Sequence, residues 1–333
     1  AEHAVALGEA PPPEEPALPS LADYPGSGPG GAVELARRAS LRSPPVLGAL
    51  CAGGWRSVPD VATMEDLRQS LGMTLYRYHF TEEEASPRRK GRGRGARGAG
   101  AADTVRIKAR DRVTVWQGER MAAKLWTPDQ RGGSTLIPLS EEHSLNLTLA
   151  LEKGAAMDIL VENLGRRGFI RRETTSPKST WEDWKGLGEA TLNSVKLANT
   201  WEVCSLPFDS LEAFKHGVPG SAEEPAESDG PAFFEGEVQV QGEPADTFLR
   251  LDVGPWNVGV AFINGVNLGR YSREAPAPFD LYVPQNFLHT GKNQVVLLEM
   301  DPVTQQSAPV NLTAWRAPDT HTNHIEQQST TST

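Results

Sequence analysis

The chain has 333 residues, 38% of them hydrophobic, which is room for two compact domains with cores of their own. Its 26 Pro and 32 Gly favour many short elements over long helices. The 33 Lys and Arg set against 43 Asp and Glu leave a formal charge of −10, which argues against nucleic acid, whose binding rests on neutralising phosphates.

No apolar run approaches the ~18 residues of a membrane span, so no span is expected. No signal peptide is visible at Ala1, which is uninformative if the chain continues upstream. Two cysteines, Cys51 and Cys204, make neither a disulfide framework nor a metal cluster, and the sequence leaves open whether they pair.

Residues 1–60 read as a linker, because Pro11-Pro12-Pro13 and the turn-rich run Tyr24–Gly31 present no periodic apolar face. Met64-Glu65-Asp66-Leu67 is a short entry turn to a strand over Met73–Tyr78. The basic insert Arg88–Arg97 has no large apolar residue and is expected to be an exposed loop. Strict alternation then predicts strands at Val105–Lys108, Val113–Trp116 and Leu145–Leu151, and a further strand spans Met157–Val161. In Leu145–Leu151 the leucines line one face, so a glycan on Asn146 would point away from the core.

Arg171–Leu187 reads as a bridge between domains. Beyond it come Trp201–Leu206, a short helix at Leu211–Phe214, an acidic loop from Gly217 to Gly230, and strands at Glu237–Val240 and Thr247–Leu251. Asn264-Gly265 between two apolar runs is a hairpin signal, since both residues accept the positive φ of a tight primed turn. Gln294–Met300 closes the pattern as a buried strand, and residues 303–333 are polar enough to expect disorder. Short strands at regular spacing predict an all-β fold of two β-sandwich domains, over 61–187 and 188–302.

Candidate chemistry is sparse. Glu82-Glu83-Glu84 and Glu141-Glu142 are surface-type runs, and Glu162 beside Asn163 ends an apolar strand, which suits a hydrogen-bonded structural role. The runs Gly26–Gly31 and Gly93–Gly98 match G-x-G-x-x-G in spacing, but neither lies between a strand and a helix, so the phosphate-cradling geometry is missing. The second could hold RNA as an Arg/Gly tract, an idea that the acidic balance opposes. His321 and His324 lack a third metal ligand. No catalytic, metal or cofactor residue is assigned. Of the eight Trp, Trp181, Trp184, Trp201 and Trp256 are candidates for domain-interface packing, with sugar stacking as the alternative. Two Asn-x-Thr triplets offer N-glycosylation at Asn146 and Asn311.

Several blocks carry a family resemblance. They are Met64–Leu67 leading to Leu75-Tyr76-Arg77, Arg110–Val113, Asp158–Arg166, Pro231–Phe234, Phe262–Tyr271 and Leu281–Gln285. In this order, over about residues 60–302, they resemble the region that follows the barrel in animal acid β-galactosidases of glycoside hydrolase family 35. Ser272 stands where the family usually has Trp, and the Gly/Arg insert at 88–100 is outside the family pattern.

The resemblance implies two jelly-roll, galactose-binding-like sandwiches and a lysosomal or secreted setting. It also implies no cofactor, galactosides as substrates of the full enzyme, and a retaining mechanism. The two carboxylates of that mechanism lie in an amino-terminal barrel that this chain is expected to lack. That barrel, within the same polypeptide, is the implied partner, and a homo-oligomer is compatible with the sequence. The chain is then expected to be a non-catalytic part of a β-galactosidase; the alternative is a stand-alone carbohydrate-binding module.

Overall fold

A computed structural model describes residues 32–51, 54–85, 103–125, 143–149, 155–165, 184–220, 230–273 and 279–314. The described chain opens with strand β1 (Ala32–Ser40) and helix α1 (Pro44–Leu50), which begins on a proline. Next come β2 (Arg56–Val58), β3 (Met73–His79), the short helix α2 (Glu82–Ala85) and β4 (Asp103–Arg110). They are followed by β5 (Arg112–Gln117), β6 (Arg120–Leu125), β7 (His143–Leu149) and β8 (Ala156–Glu162). The first unit ends with β9 (Gly186–Leu192), β10 (Val195–Lys196) and β11 (Trp201–Leu206). The remainder runs through β12 (Ala232–Val240), β13 (Thr247–Arg250), β14 (Val258–Ile263) and β15 (Val266–Ser272). It closes with β16 (Asp280–Val283), β17 (Gly291–Glu299) and β18 (Ser307–Ala314).

The first domain is a sandwich of a four-stranded sheet, β10-β9-β4-β7, on a six-stranded sheet, β2-β11-β3-β8-β5-β6. The second is one eight-stranded sheet, β15-β14-β17-β12-β1-β18-β13-β16, and its edge strands β15 and β16 approach each other so that it nearly closes into a barrel. Every strand pairing described is antiparallel. The all-β architecture expected from alternation and turn spacing is the one found. At the predicted hairpin, Asn264 and Gly265 adopt φ of 48° and 78°, the turn that joins β14 to β15.

Three apolar cores follow from the two-residue period of a strand. Tyr76, Ile159, Val161 and Val203 face the interior of the first sandwich with Val105, Ile107 and Leu192. Phe234, Ala261, Ile263, Val295 and Leu297 fill the second domain. Their strand neighbours point the other way and meet between the domains: Leu75, Leu160, Cys204 and Leu206 from one side, Phe233, Val260, Phe262, Val296 and Leu298 from the other. The six-stranded sheet is therefore buried on both faces.

The pairing divides the chain differently from the sequence-based boundaries. Residues 1–60 are not linker throughout. Val33 and Leu35 of β1 enter the second domain's core, and β1 sits centrally between β12 and β18. The tail expected over 303–333 contains β18, whose Ala308, Val310 and Leu312 are buried while Pro309 interrupts the β-type composition. Gly186 and Leu187, expected in a bridge, begin β9, and Trp201–Leu206, expected in the second domain, pairs with β3 in the first. The first domain is thus inserted between β1 and β12 of the second, an arrangement that local composition does not encode. The inserts and tail at Tyr24–Gly31, Arg88–Arg97, Glu141-Glu142 and His321–His324 lie outside the described residues.

Cys51, at the end of α1, is bonded to Cys204 on β11, with Cα atoms 5.3 Å apart inside the interdomain core. The bridge closes a loop of 153 residues, so restricting the unfolded chain is worth ~2–5 kcal/mol. Replacing both cysteines by Ser is expected to lower stability by that amount in guanidinium unfolding of the oxidised protein. Coincident midpoints for the two proteins would show that the bridge contributes nothing.

Candidate functional site at the domain junction

Where the two domains meet, a cavity of about 430 Å³ is walled by Leu71, Met73, Leu164, Pro207, Phe208 and Val260, with Glu162, Asn163, Asn267 and Arg270 supplying polar groups. Two loops of the same composition form its rim. Asn163-Leu164-Gly165 follows β8, and Asn267-Leu268-Gly269 lies in β15. In each, the Asn Oδ1 accepts a hydrogen bond from the Gly two residues on, at 2.9 Å in the first and 2.6 Å in the second. This is the local side-chain-to-backbone turn that Asn favours. The glycines take φ of 109° and 117°, a region that L side chains rarely enter. Each Asn amide then donates across to another segment, Asn163 to the Ser70 carbonyl at 2.9 Å and Asn267 to the Phe208 carbonyl at 2.6 Å.

Charge locks the two rims together. Arg270 Nε lies 2.9 Å from Glu162 Oε1, and Arg112 Nη1 lies 3.7 Å from Glu162 Oε2. Arg112 Nη2 also donates to Asp301 Oδ1 at 3.0 Å, and Asp301 is contacted by Lys124 and by the Asn257 amide. Glu162 and Arg112 are almost wholly buried. The Glu162 oxygens are buried within this ion-pair cluster, so their charge is balanced by the two guanidinium groups. Beside them, Lys185 Nζ donates to both Asp111 oxygens at 2.8 Å, and the Leu164 N–H donates to Asp111 Oδ2 at 2.8 Å.

A second buried acid lies close by. Glu299 Oε2 accepts from the Asn257 N–H at 2.8 Å and the Tyr271 hydroxyl at 3.1 Å, while Oε1 accepts from the Val258 and Asp301 N–H groups. Burial nevertheless dominates and pushes the Glu299 carboxyl up to about 7. The sequence reading noticed Glu162 but missed Arg112, Arg270 and Glu299. A lone acid closing the apolar run Val295–Leu298 was the available signal for Glu299, and the recurrence of Asn-Leu-Gly-Arg was the signal for the rims.

The other sequence candidates do not converge here. Trp201 is fully buried in the first sandwich, 4.7 Å from the Tyr78 ring and donating to the Leu197 carbonyl at 3.1 Å. Trp256 is fully buried in the second domain, packed on Phe234 and donating to the Pro309 carbonyl at 2.7 Å. Both are core residues, so neither packs between the domains nor reaches a sugar. Trp184 is half-buried under the Arg110 guanidinium, 4.7 Å from its ring centroid. Trp181 lies outside the described residues. Among the described residues, Trp116 is buried in the interdomain core with Arg42 over its ring at 4.9 Å, and Trp55 packs against that core. Asn146 is exposed and Asn311 half-buried. Among the described residues no helix is long and apolar enough to cross a membrane, and no group of three or more His, Cys, Asp or Glu could hold a metal ion.

Glu162→Gln leaves Arg112 and Arg270 without their shared carboxylate and is expected to cost about 3 kcal/mol in equilibrium unfolding; a change below ~0.5 kcal/mol would mean that the pair is not coupled. For Glu299 the folded state holds its proton more tightly than the unfolded chain. Its contribution is complete below about 4.5 and is lost as pH rises through about 7. The melting temperature is therefore expected to fall across that window, and Glu299→Gln to flatten the slope while lowering stability throughout. An unchanged slope would assign the pH dependence to other groups.

Comparison with known proteins adds a family likeness. Residues 231–293, from β12 into β17, match the family model "Beta-galactosidase, galactose-binding domain". The human β-galactosidase-1-like protein 2 is 37% identical over 142 residues, which is 42% of this chain and 21% of the relative. The mouse β-galactosidase-1-like protein is 34% identical over 158 residues, 45% of this chain and 22% of the relative. Bovine β-galactosidase is 31% identical over 178 residues, 49% of this chain and 26% of the relative. The matched region thus spans about a quarter or less of these relatives. On these matches, residues 231–293 are similar to the galactose-binding domain of β-galactosidases, and the chain is similar to part of β-galactosidases and β-galactosidase-1-like proteins.

Proposed function

We propose that this chain is the non-catalytic β-domain portion of a β-galactosidase, and that its two domains brace a catalytic barrel supplied by the same polypeptide. The whole enzyme would release terminal β-linked galactose by the retaining route, in a lysosomal or secreted setting. The observation that carries this reading is how the buried carboxylates are employed. Asp111 is held by Lys185, Asp158 by Arg42 and Arg77, Glu162 by Arg112 and Arg270, and Glu299 by three backbone N–H groups and Tyr271. A retaining site needs two carboxyl groups ~5–5.5 Å apart facing an open cleft, one free to take up a proton and one free to attack carbon. Acids neutralised inside a domain junction serve neither role. Leu71, 59% exposed beside the cavity, supplies an apolar foothold for a neighbouring domain.

A second reading, carbohydrate binding by the chain itself, is favoured by one feature. The junction cavity pairs apolar walls with the polar residues Asn163, Asn267 and Arg270, a combination suited to the faces and hydroxyls of a sugar. The purified chain is expected to leave an aryl β-galactoside intact at acidic and neutral pH; turnover that co-purifies with the chain would end the non-catalytic reading. A glycan array separates the two readings. Retention of galactose-terminated glycans would favour the second, and a silent array would remove it.

A further inference from the structure

On the outer face of the second domain, β18, β13 and β16 lie side by side. Leu312, Leu249 and Leu281 point into the core, so the residues flanking each point outward. The register arranges them in two rows. Asn311 pairs with Arg250 and Arg250 with Asp280; Thr313 pairs with Phe248 and Phe248 with Tyr282. Phe248 and Tyr282 form an aromatic pair with ring centroids 5.7 Å apart, and Tyr282 is 46% exposed. Phe248 is diagonal to Asn311, ~7–8 Å away, and Tyr282 lies one strand further on, so a sugar extending from the amide can reach both.

The Asn311 amide is also uncommitted. Among the described residues it makes no hydrogen bond, whereas Asn163, Asn257, Asn264, Asn267 and Asn293 all donate through theirs. Asn311-Leu312-Thr313 is an acceptor triplet with both polar members on the solvent side. Asn146 offers the same triplet in different surroundings. Its β4 neighbours across the ladder are Arg106 and, one step along the face, Thr104, with no aromatic residue.

We infer that Asn311 carries an N-linked glycan whose first N-acetylglucosamine residues lie across the Phe248–Tyr282 pair. In the attachment step, the Asn311 amide nitrogen forms a bond to C1 of the sugar. The C1–O bond to a lipid-linked pyrophosphate donor breaks, the pyrophosphate leaves with the bonding electrons, and the amide loses one proton to a base of the transferase. The apolar face of the sugar then covers ring surface that is otherwise exposed to water. A glycan at Asn146 has nothing comparable to lie on.

The test uses the full chain secreted from a eukaryotic host, which supplies the transferase and donor. Peptide mass spectrometry is expected to find Asn311 modified. Asn311→Gln is then expected to lower the melting temperature by about 2–4 °C, and Asn146→Gln to leave it unchanged. In a Tyr282→Ser background, and in Phe248→Ser/Tyr282→Ser if it folds by circular dichroism, the Asn311→Gln effect is expected to vanish. The same substitutions made in protein from a bacterial host, which adds no glycan, give the baseline. An unmodified Asn311 overturns the inference. So does a glycan-dependent gain that persists in full without the aromatic side chains.

Discussion

Leu75 and Tyr76 are adjacent on β3 yet end in different cores, the first between the domains and the second inside the sandwich. The same split divides Leu160 from Ile159 on β8, and Leu206 from Val203 on β11. A sheet with apolar residues on both faces cannot expose either without a large loss of hydrophobic stabilisation. The six-stranded sheet therefore needs a second layer on its outer face, and the outer face of the eight-stranded sheet supplies it with Phe233, Val260, Phe262 and Leu298. Such a seam fixes where each domain sits. It also explains why the chain enters the second domain through β1, leaves to build the first, and returns at β12, since every crossing runs along the seam. The Cys51–Cys204 bridge lies within that layer and ties the segment after β1 to the sheet it covers.

At the edge of the seam the packing changes from apolar to ionic. Taking Arg112 and Glu162 out of water costs several kcal/mol per ion, so apolar replacements would serve stability equally well. What the ions add is direction. Glu162 sits at the end of β8 in one domain and Arg270 in β15 of the other, so their contact is satisfied in a single relative placement. The paired Asn-Leu-Gly loops act in the same way, because each Asn bonds both its own turn and a distant carbonyl. The cavity lies between these fixed rims, so its shape is set by the junction and not by either domain alone.

Much of this was legible in the sequence where the signal was local. The leucines of Leu145–Leu149 alternate, Asn264-Gly265 turns, and the blocks 158–166 and 262–271 resemble known segments. These are contacts between near neighbours, and the strands and hairpin formed as expected. What could not be read was pairing between distant segments. Val33 and Leu35 lie in a stretch with two arginines and several alanines, and Ala308, Val310 and Leu312 surround a proline. Neither looks like a strand until β12 and β13 are placed beside them. The tryptophans mislead for a related reason. Trp201 and Trp256 each combine a large apolar surface with one N–H group, and a sequence cannot say whether a carbonyl inside the core awaits that group. Leu197 and Pro309 provide such carbonyls, which makes both residues interior.

This bears on how sugar contact could arise in such a fold. Aromatic residues at a carbohydrate site must present a ring face to solvent, and among the described residues the Trp rings are spent on cores or covered by arginines, as in Trp116 beneath Arg42, Trp55 beneath Arg77 and Trp184 beneath Arg110. A guanidinium on an indole face is attracted to it and excludes another stacking partner. Among the described residues, two surfaces remain open to a sugar. One is the junction cavity, where contact would come from Asn163, Asn267 and apolar side chains. The other is the open Phe248–Tyr282 pair, which the glycan proposed at Asn311 would cover. The first would be used in recognition of a separate molecule and the second in covering the domain's surface, and they involve different strands of the eight-stranded sheet, β14 and β15 for the cavity and β13 and β16 for the aromatic pair.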